Sequence, residues 1–98
     1  MFCFNHFEAD DDFLLSVCDE DILGKTFSEG EITLKVKEDF YFSKKAEEAD
    51  LKNFFEKATI INAVGEEIVN LLVNEDLVEE DKILVVEGVP HAQVVKIE

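Results

Sequence analysis

The chain opens on aromatic residues in alternation. FCFNHF reads as a strand, EADDD as an acidic turn and FLLSVCD as a second strand. A turn centred on Asp10 and Asp11 sets Cys3 opposite Cys18. In that register one face carries Phe2, Phe4, His6, Phe13, Leu15 and Val17, and the other Cys3, Asn5, Phe7, Leu14, Ser16 and Cys18. The first face is the more apolar and is expected to meet the core. Asp19 then offers an N-cap to a brief helix, Glu20 and Asp21 suit its positive end, and Gly24 closes it. After a turn at Ser28-Glu29-Gly30, EITLKVKE alternates, with Ile32, Leu34 and Val36 on one side and Thr33, Lys35 and Lys37 on the other. Phe40, Tyr41 and Phe42 form a dense aromatic knot.

The period then lengthens. Leu51, Phe54, Phe55 and Ala58 share one helix face, and Val64, Ile68, Leu71 and Leu72 share a second. Asn62 is expected to cap that second helix, with Glu66 and Glu67 near its positive end and Asn74 at its close. ILVV reads as a buried strand bounded by Gly88. Pro90 marks the next residues as loop or edge, and AQVVKI returns to strand character. The expected order is β-β-α-β-α-α-β-β, a single two-layer α+β sandwich domain over residues 1–98.

Length agrees with one domain, because 98 residues bury one ordinary core and not two. Hydrophobic residues make up 47% and charged residues 34%, which excludes a disordered chain. No apolar run approaches the roughly 20 residues that span a bilayer, and the first residues lack a basic stretch before an apolar one. A cytoplasmic protein with no membrane partner is therefore expected, its two cysteines reduced.

The net charge of −15 is uneven. Residues 1–31 hold nine acids and one Lys, residues 32–58 six of each, and residues 59–98 nine acids and two Lys. There is no Arg. Such a surface repels phosphate backbones and lacks the bidentate fork that grips guanine edges, which argues against duplex DNA and leaves a basic protein partner open.

Candidate chemistry is sparse. His91 and Gln93, beside Pro90, present a possible base and an amide; the plain alternative is that Pro90 shapes a turn while both bond exposed backbone. Cys18 near a helix start invites a nucleophilic reading, but Asp19, Glu20 and Asp21 oppose a lowered thiol pKa. Gly24-Lys25 is no phosphate loop, since Asp19 stands where the upstream glycine belongs, and Lys25 is left as an exposed contact for an anion. Cys3, Cys18, His6 and His91 match no zinc spacing, and EADDD lacks the glycine and final Glu of a calcium loop, so neither metal nor cofactor is expected. Lys35, Lys37, Lys44 and Lys45, interleaved with Phe40, Tyr41 and Phe42, form the one patch suited to single-stranded RNA; the alternative is that these aromatics are core.

CDEDILGK at 18–25, EGEITLKV at 29–36, DFYF at 39–42, ATIINAVGEEIVNLL at 58–72 and EGVPHAQVVKI at 87–97, in this order and spacing, resemble the archaeal family known as domain of unknown function 424. The resemblance runs from about Ser16 to the C-terminus and implies a small archaeal cytosolic α+β protein with no established activity. Its signature positions here are Cys18, Asp19, Leu23, Gly24, Lys25, Glu29, Gly30, Phe40, Tyr41, Gly65, Gly88, Pro90, His91 and Gln93. Phe42, Ser43 and Lys44 depart from the small residues expected after the Phe-Tyr pair.

Together these readings favour a non-catalytic adaptor that recognises a protein through GVPHAQ and the Cys18–Lys25 segment. Cys18, Asp19, Lys25, Glu29, Tyr41, Pro90, His91 and Gln93 are its candidate contacts. The alternatives are an RNA- or ribosome-associated protein using the lysine and aromatic patch, and a small enzyme using His91 with Cys18 or Asp19.

Overall fold

The computed structural model describes residues 1–96. β1 (Phe2–Ala9) and β2 (Asp12–Asp19) form the expected hairpin, with Cys3 opposite Cys18 and Asp10 left-handed in the turn. A 3-10 turn, Glu20–Ile22, replaces the expected first helix. The hairpin β3 (Thr26–Glu29) and β4 (Ile32–Lys35) follows, then the single-turn α1 (Glu38–Tyr41) and β5 (Lys44–Ala46). Next come α2 (Glu48–Lys57), β6 (Ile60–Val64), α3 (Glu66–Asn74), a second 3-10 turn at Glu80–Lys82, β7 (Leu84–Val86) and β8 (Val89–Val95). The α+β class and the order of the expected elements hold, with β3, α1, β5 and β6 as short additions between them.

β6 is the addition that matters. Asn62 lies in its middle and caps nothing, because Thr59-Ile60-Ile61 and the residues to Val64 make a β-branched run that pairs parallel to β2 and antiparallel to β8. Val64 ends that strand, and only Ile68, Leu71 and Leu72 of its expected face lie on α3. Pro90, His91 and Gln93 stand on β8 and not in a loop; the turn before them is Glu87-Gly88, both at positive φ. The expected strand residue Ile97 lies outside the described residues.

The main sheet runs β5-β1-β2-β6-β8-β7. One face packs on α2 and α3 through Phe2, Phe4, Leu15, Val17, Ile61, Ala63, Ala92 and Val94, with Leu51, Phe55, Ile68 and Leu72 from the helices. This is the face the hairpin pattern assigns to the core, except that His6 is exposed at its margin, stacked on Phe13. The opposite face is covered over part of its area. There α1 and the β3–β4 hairpin bury Cys3, Cys18 and Val64 beneath Val36, Tyr41 and Phe27.

Candidate functional site

Three rows of side chains cross the partly covered face. Cys18, Val64 and His91 are in register across β2, β6 and β8; Ser16, Asn62 and Gln93 form the next row, and Leu14, Ile60 and Val95 the third. β1 adds Cys3, Asn5 and Phe7 to the same rows. The first row lies under the hairpin. Ser16 ties α1 down by donating its hydroxyl to the Phe40 carbonyl. The third row is open, with Phe7 41% and Val95 56% exposed.

A polar network stands at the boundary between covered and open sheet. The Tyr41 hydroxyl donates to Oδ1 of Asn62 at 2.8 Å, and Nε2 of His91 lies 2.9 Å from the same oxygen. A carbonyl oxygen only accepts, so Nε2 carries the proton. That fixes the tautomer and leaves Nδ1 of His91 and the Asn62 amide nitrogen outside the network. Burial pushes the Tyr41 hydroxyl up to about 12 and lowers His91 below its ordinary 6.5. The group is thus a neutral array of donors and acceptors, with Gln93 exposed beside it.

The lowered His91 pKa makes stability depend on pH. The unfolded chain takes up the His91 proton first as pH falls, so stability declines below about pH 6.5 and is unaffected above it. His91→Gln keeps a donor for Asn62 and removes the titration. The difference in melting temperature between wild type and this variant is expected to shrink from pH 7 to pH 5; a constant difference contradicts the assignment.

The remaining candidates have other roles. Asp19 does not cap its own turn. Its two carboxylate oxygens accept from the backbone N–H groups of Glu67 and Ile68, each at 2.9 Å, and so cap α3 from a neighbouring strand. The parallel pairing of β2 and β6 brings the end of β2 beside the start of that helix. Cys18 is fully buried, and burial pushes its thiol up to about 12, with Cys3 and Asp19 adding to the shift. The thiol is therefore protonated at neutral pH and has no surface exposed to a partner. Cys18 and His91 flank Val64 in one row, two strand spacings or about 9.5 Å apart, so the proposed dyad does not meet. Asp19 is held by α3 and is likewise no partner for His91.

Pro90 accepts from the N–H of Gly65 and is structural. Glu29 accepts from the N–H of Glu87, whose own carboxylate accepts from Ser28 at 2.6 Å, pinning the β3–β4 hairpin to the β7–β8 turn. Lys25 is exposed. Lys45 pairs with Glu20 at 2.5 Å, while Lys35, Lys37 and Lys44 are exposed. Of the interleaved aromatics, Tyr41 is buried and Phe40 packs on Phe7 and Tyr41; Phe42, 40% exposed, is the one turned outward. Among the described residues no group of three or more His, Cys, Asp or Glu is placed to hold a metal, and no helix is long and apolar enough to cross a membrane.

Sequence reasoning missed Asn62 as the hub and Gly65 as the turn between β6 and α3. The signal for both was the TIINAV run, whose β-branched residues stop at a glycine.

The comparisons agree with this architecture. The family model of a protein of unknown function, DUF424, matches residues 7–97. The crystal structure of an uncharacterized conserved protein from Methanopyrus kandleri is similar over 99% of this chain and 95% of that one, with a TM-score of 0.76 and 28% sequence identity. No curated protein matches the chain.

Proposed function

The chain belongs to the DUF424 family of proteins of unknown function, and on that premise we propose a non-catalytic, cytoplasmic binding module whose recognition surface is the open part of the sheet beside His91 and Gln93. One observation carries this reading. Phe7, Leu14, Ile60 and Val95 form a row across four adjacent strands whose two end residues are exposed, Phe7 with one side stacked on Phe40 of α1, next to the neutral Tyr41–Asn62–His91 network. An apolar row flanked by fixed donors and acceptors suits a protein partner, with the row supplying affinity and the amides supplying orientation.

The charge selects the partner's sign. At −15 the chain attracts a basic protein and repels nucleic acid. The RNA reading also loses Tyr41 as a stacking surface, since it is inside the network, and has one of its four lysines, Lys45, paired with Glu20. The Cys18–Lys25 segment leaves the proposed surface because Cys18 and Asp19 are committed to the fold.

The test is a pull-down from native archaeal cytosol with tagged wild type, Phe7→Ser and Gln93→Ala, each with and without RNase. A protein partner is expected to survive RNase and to be depleted by both variants. Loss on RNase treatment, or binding that both variants leave unchanged, contradicts the proposal.

A further inference from the structure

The outer edge of β8 carries the partner's mode of attachment. Along an antiparallel pair, residues alternate between pointing their N–H and C=O groups at the neighbouring strand and pointing them away. Two bonds fix the phase here: Lys96 N–H donates to the Thr59 carbonyl and Gly65 N–H to the Pro90 carbonyl, both at 2.9 Å. Pro90, Ala92, Val94 and Lys96 therefore face β6, while His91, Gln93 and Val95 face outward. β7 takes up His91 through Leu84 and begins there. Upstream of it the chain closes on itself in the Glu80–Lys82 turn, with Lys82 N–H bonded to Glu79 and Ile83 N–H to Glu80. Among the described residues, no strand pairs with Gln93 or Val95 on the outer side.

Such an edge normally carries a guard: a proline, a bulge or a projecting lysine. Pro90 sits where its missing N–H faces β6, so it blocks nothing outward. Of the lysines that flank this edge in the chain, Lys96 folds back so that its ammonium donates to the Phe55 carbonyl at the end of α2, and Lys82 stands exposed in the turn two residues before Leu84. Gln93 and Val95 are both exposed, and their side chains stand on the open face in the rows of Asn62 and Ile60. An added strand would extend the sheet past β8 and lay its alternate side chains beside the Phe7–Leu14–Ile60–Val95 row. The turn that leads into β7 carries Glu79, Glu80, Asp81 and Lys82, all exposed, and is net negative.

We propose that β8 binds an extended, lysine- or arginine-bearing segment of a partner protein by strand addition at Gln93 and Val95, with every second side chain apolar. The inference rests on the open-face reading and adds the main-chain pairing to it. A second copy of this chain fits poorly, because two bodies of −15 repel. Nucleic acid offers neither the sign of charge nor the backbone pattern.

The probe is a displayed library of random short peptides selected on the wild-type chain. Enriched peptides are expected to alternate apolar residues with Lys or Arg. Val95→Pro removes an N–H that the sheet does not use, so it is expected to cut their affinity at least about tenfold with little change in melting temperature. In wild type, peptide addition is expected to slow amide exchange at Gln93 and Val95. If Val95→Pro binds as wild type does, or wild type gains no protection at these amides, strand addition is overturned. In that event Phe7→Ser decides the parent reading: lost binding keeps the open face, and unchanged binding removes it. Enrichment of no peptide, or of acidic peptides, overturns both.

Discussion

Replacing Gly65 with alanine is expected to cost about 3–5 kcal/mol, near the upper end for a single substitution. Gly65 holds φ at +125° and ψ at 152°, a region that side-chain-bearing residues enter at a cost of about 1–3 kcal/mol. A Cβ built there also falls 2.4 Å from Cγ of Asp19 and within 2.8 Å of both its oxygens. The carboxylate must then move and abandon one or both of its bonds to α3. For a domain of this size, with about 5–15 kcal/mol of stability in total, the melting temperature is expected to fall by roughly 15–30 °C. Gly30 is the control. Its φ of +62° suits asparagine and nothing lies within 4 Å of its Cβ position, so Gly30→Asn is expected to melt close to wild type. Thermal denaturation of both variants checks the claim, and a Gly65→Ala protein within a few degrees of wild type contradicts it.

Asp19→Ala is expected to cost about 2–4 kcal/mol, because it strands two N–H groups at the start of α3, that of Ile68 in a buried setting. Burial raises the Asp19 pKa above 3.8, while the bonds from Glu67 and Ile68 pull it down. The folded chain therefore binds this proton more tightly than the unfolded one. The Asp19 contribution is largest below pH 3.8 and declines as pH rises through the folded pKa. The two substitutions share one contact, so they are expected to be less than additive: once the carboxylate is gone, the methyl group added by Gly65→Ala meets no clash and only the backbone strain remains. A double-mutant cycle by thermal or urea denaturation measures this. Additive costs would show that Asp19 and Gly65 act independently.

These two residues also explain why the resemblance reads as it does. Asp19, Gly65 and Pro90 form one junction, where a carboxylate caps a helix, a glycine leaves room for it, and a proline carbonyl takes the glycine N–H. Glu29 belongs to the Glu29–Glu87 clasp between two turns. Much of the signature is therefore architectural, and Tyr41, His91 and Gln93 are its members at the boundary between covered and open sheet.

What the sequence made legible was whatever depends on local period. The β1–β2 register followed from a two-residue acidic turn, and the helix faces of α2 and α3 followed from their spacing. The fate of Asp19 was not legible, because its partner is 48 residues away and a capping residue looks the same whichever helix it serves. Asn62 was misplaced for a related reason: an Asn before a glycine and two glutamates is a good local cap, and only pairing with β2 and β8 makes it a strand residue. The candidate site was half legible. His91 and Gln93 stood out as polar residues near Pro90, but the loop they were expected to occupy is a strand, and their hub was assigned elsewhere. Long-range pairing decides each of these, and a single sequence records it faintly.

The most direct test of the binding account is the amide spectrum of isotope-labelled chain titrated with the protein partner retained after RNase treatment. The account predicts shifts concentrated at Phe7, Leu14, Ile60, Asn62, Gln93 and Val95. Shifts gathered instead at Glu20 to Lys25 and the start of α3, with β8 unmoved, would contradict it.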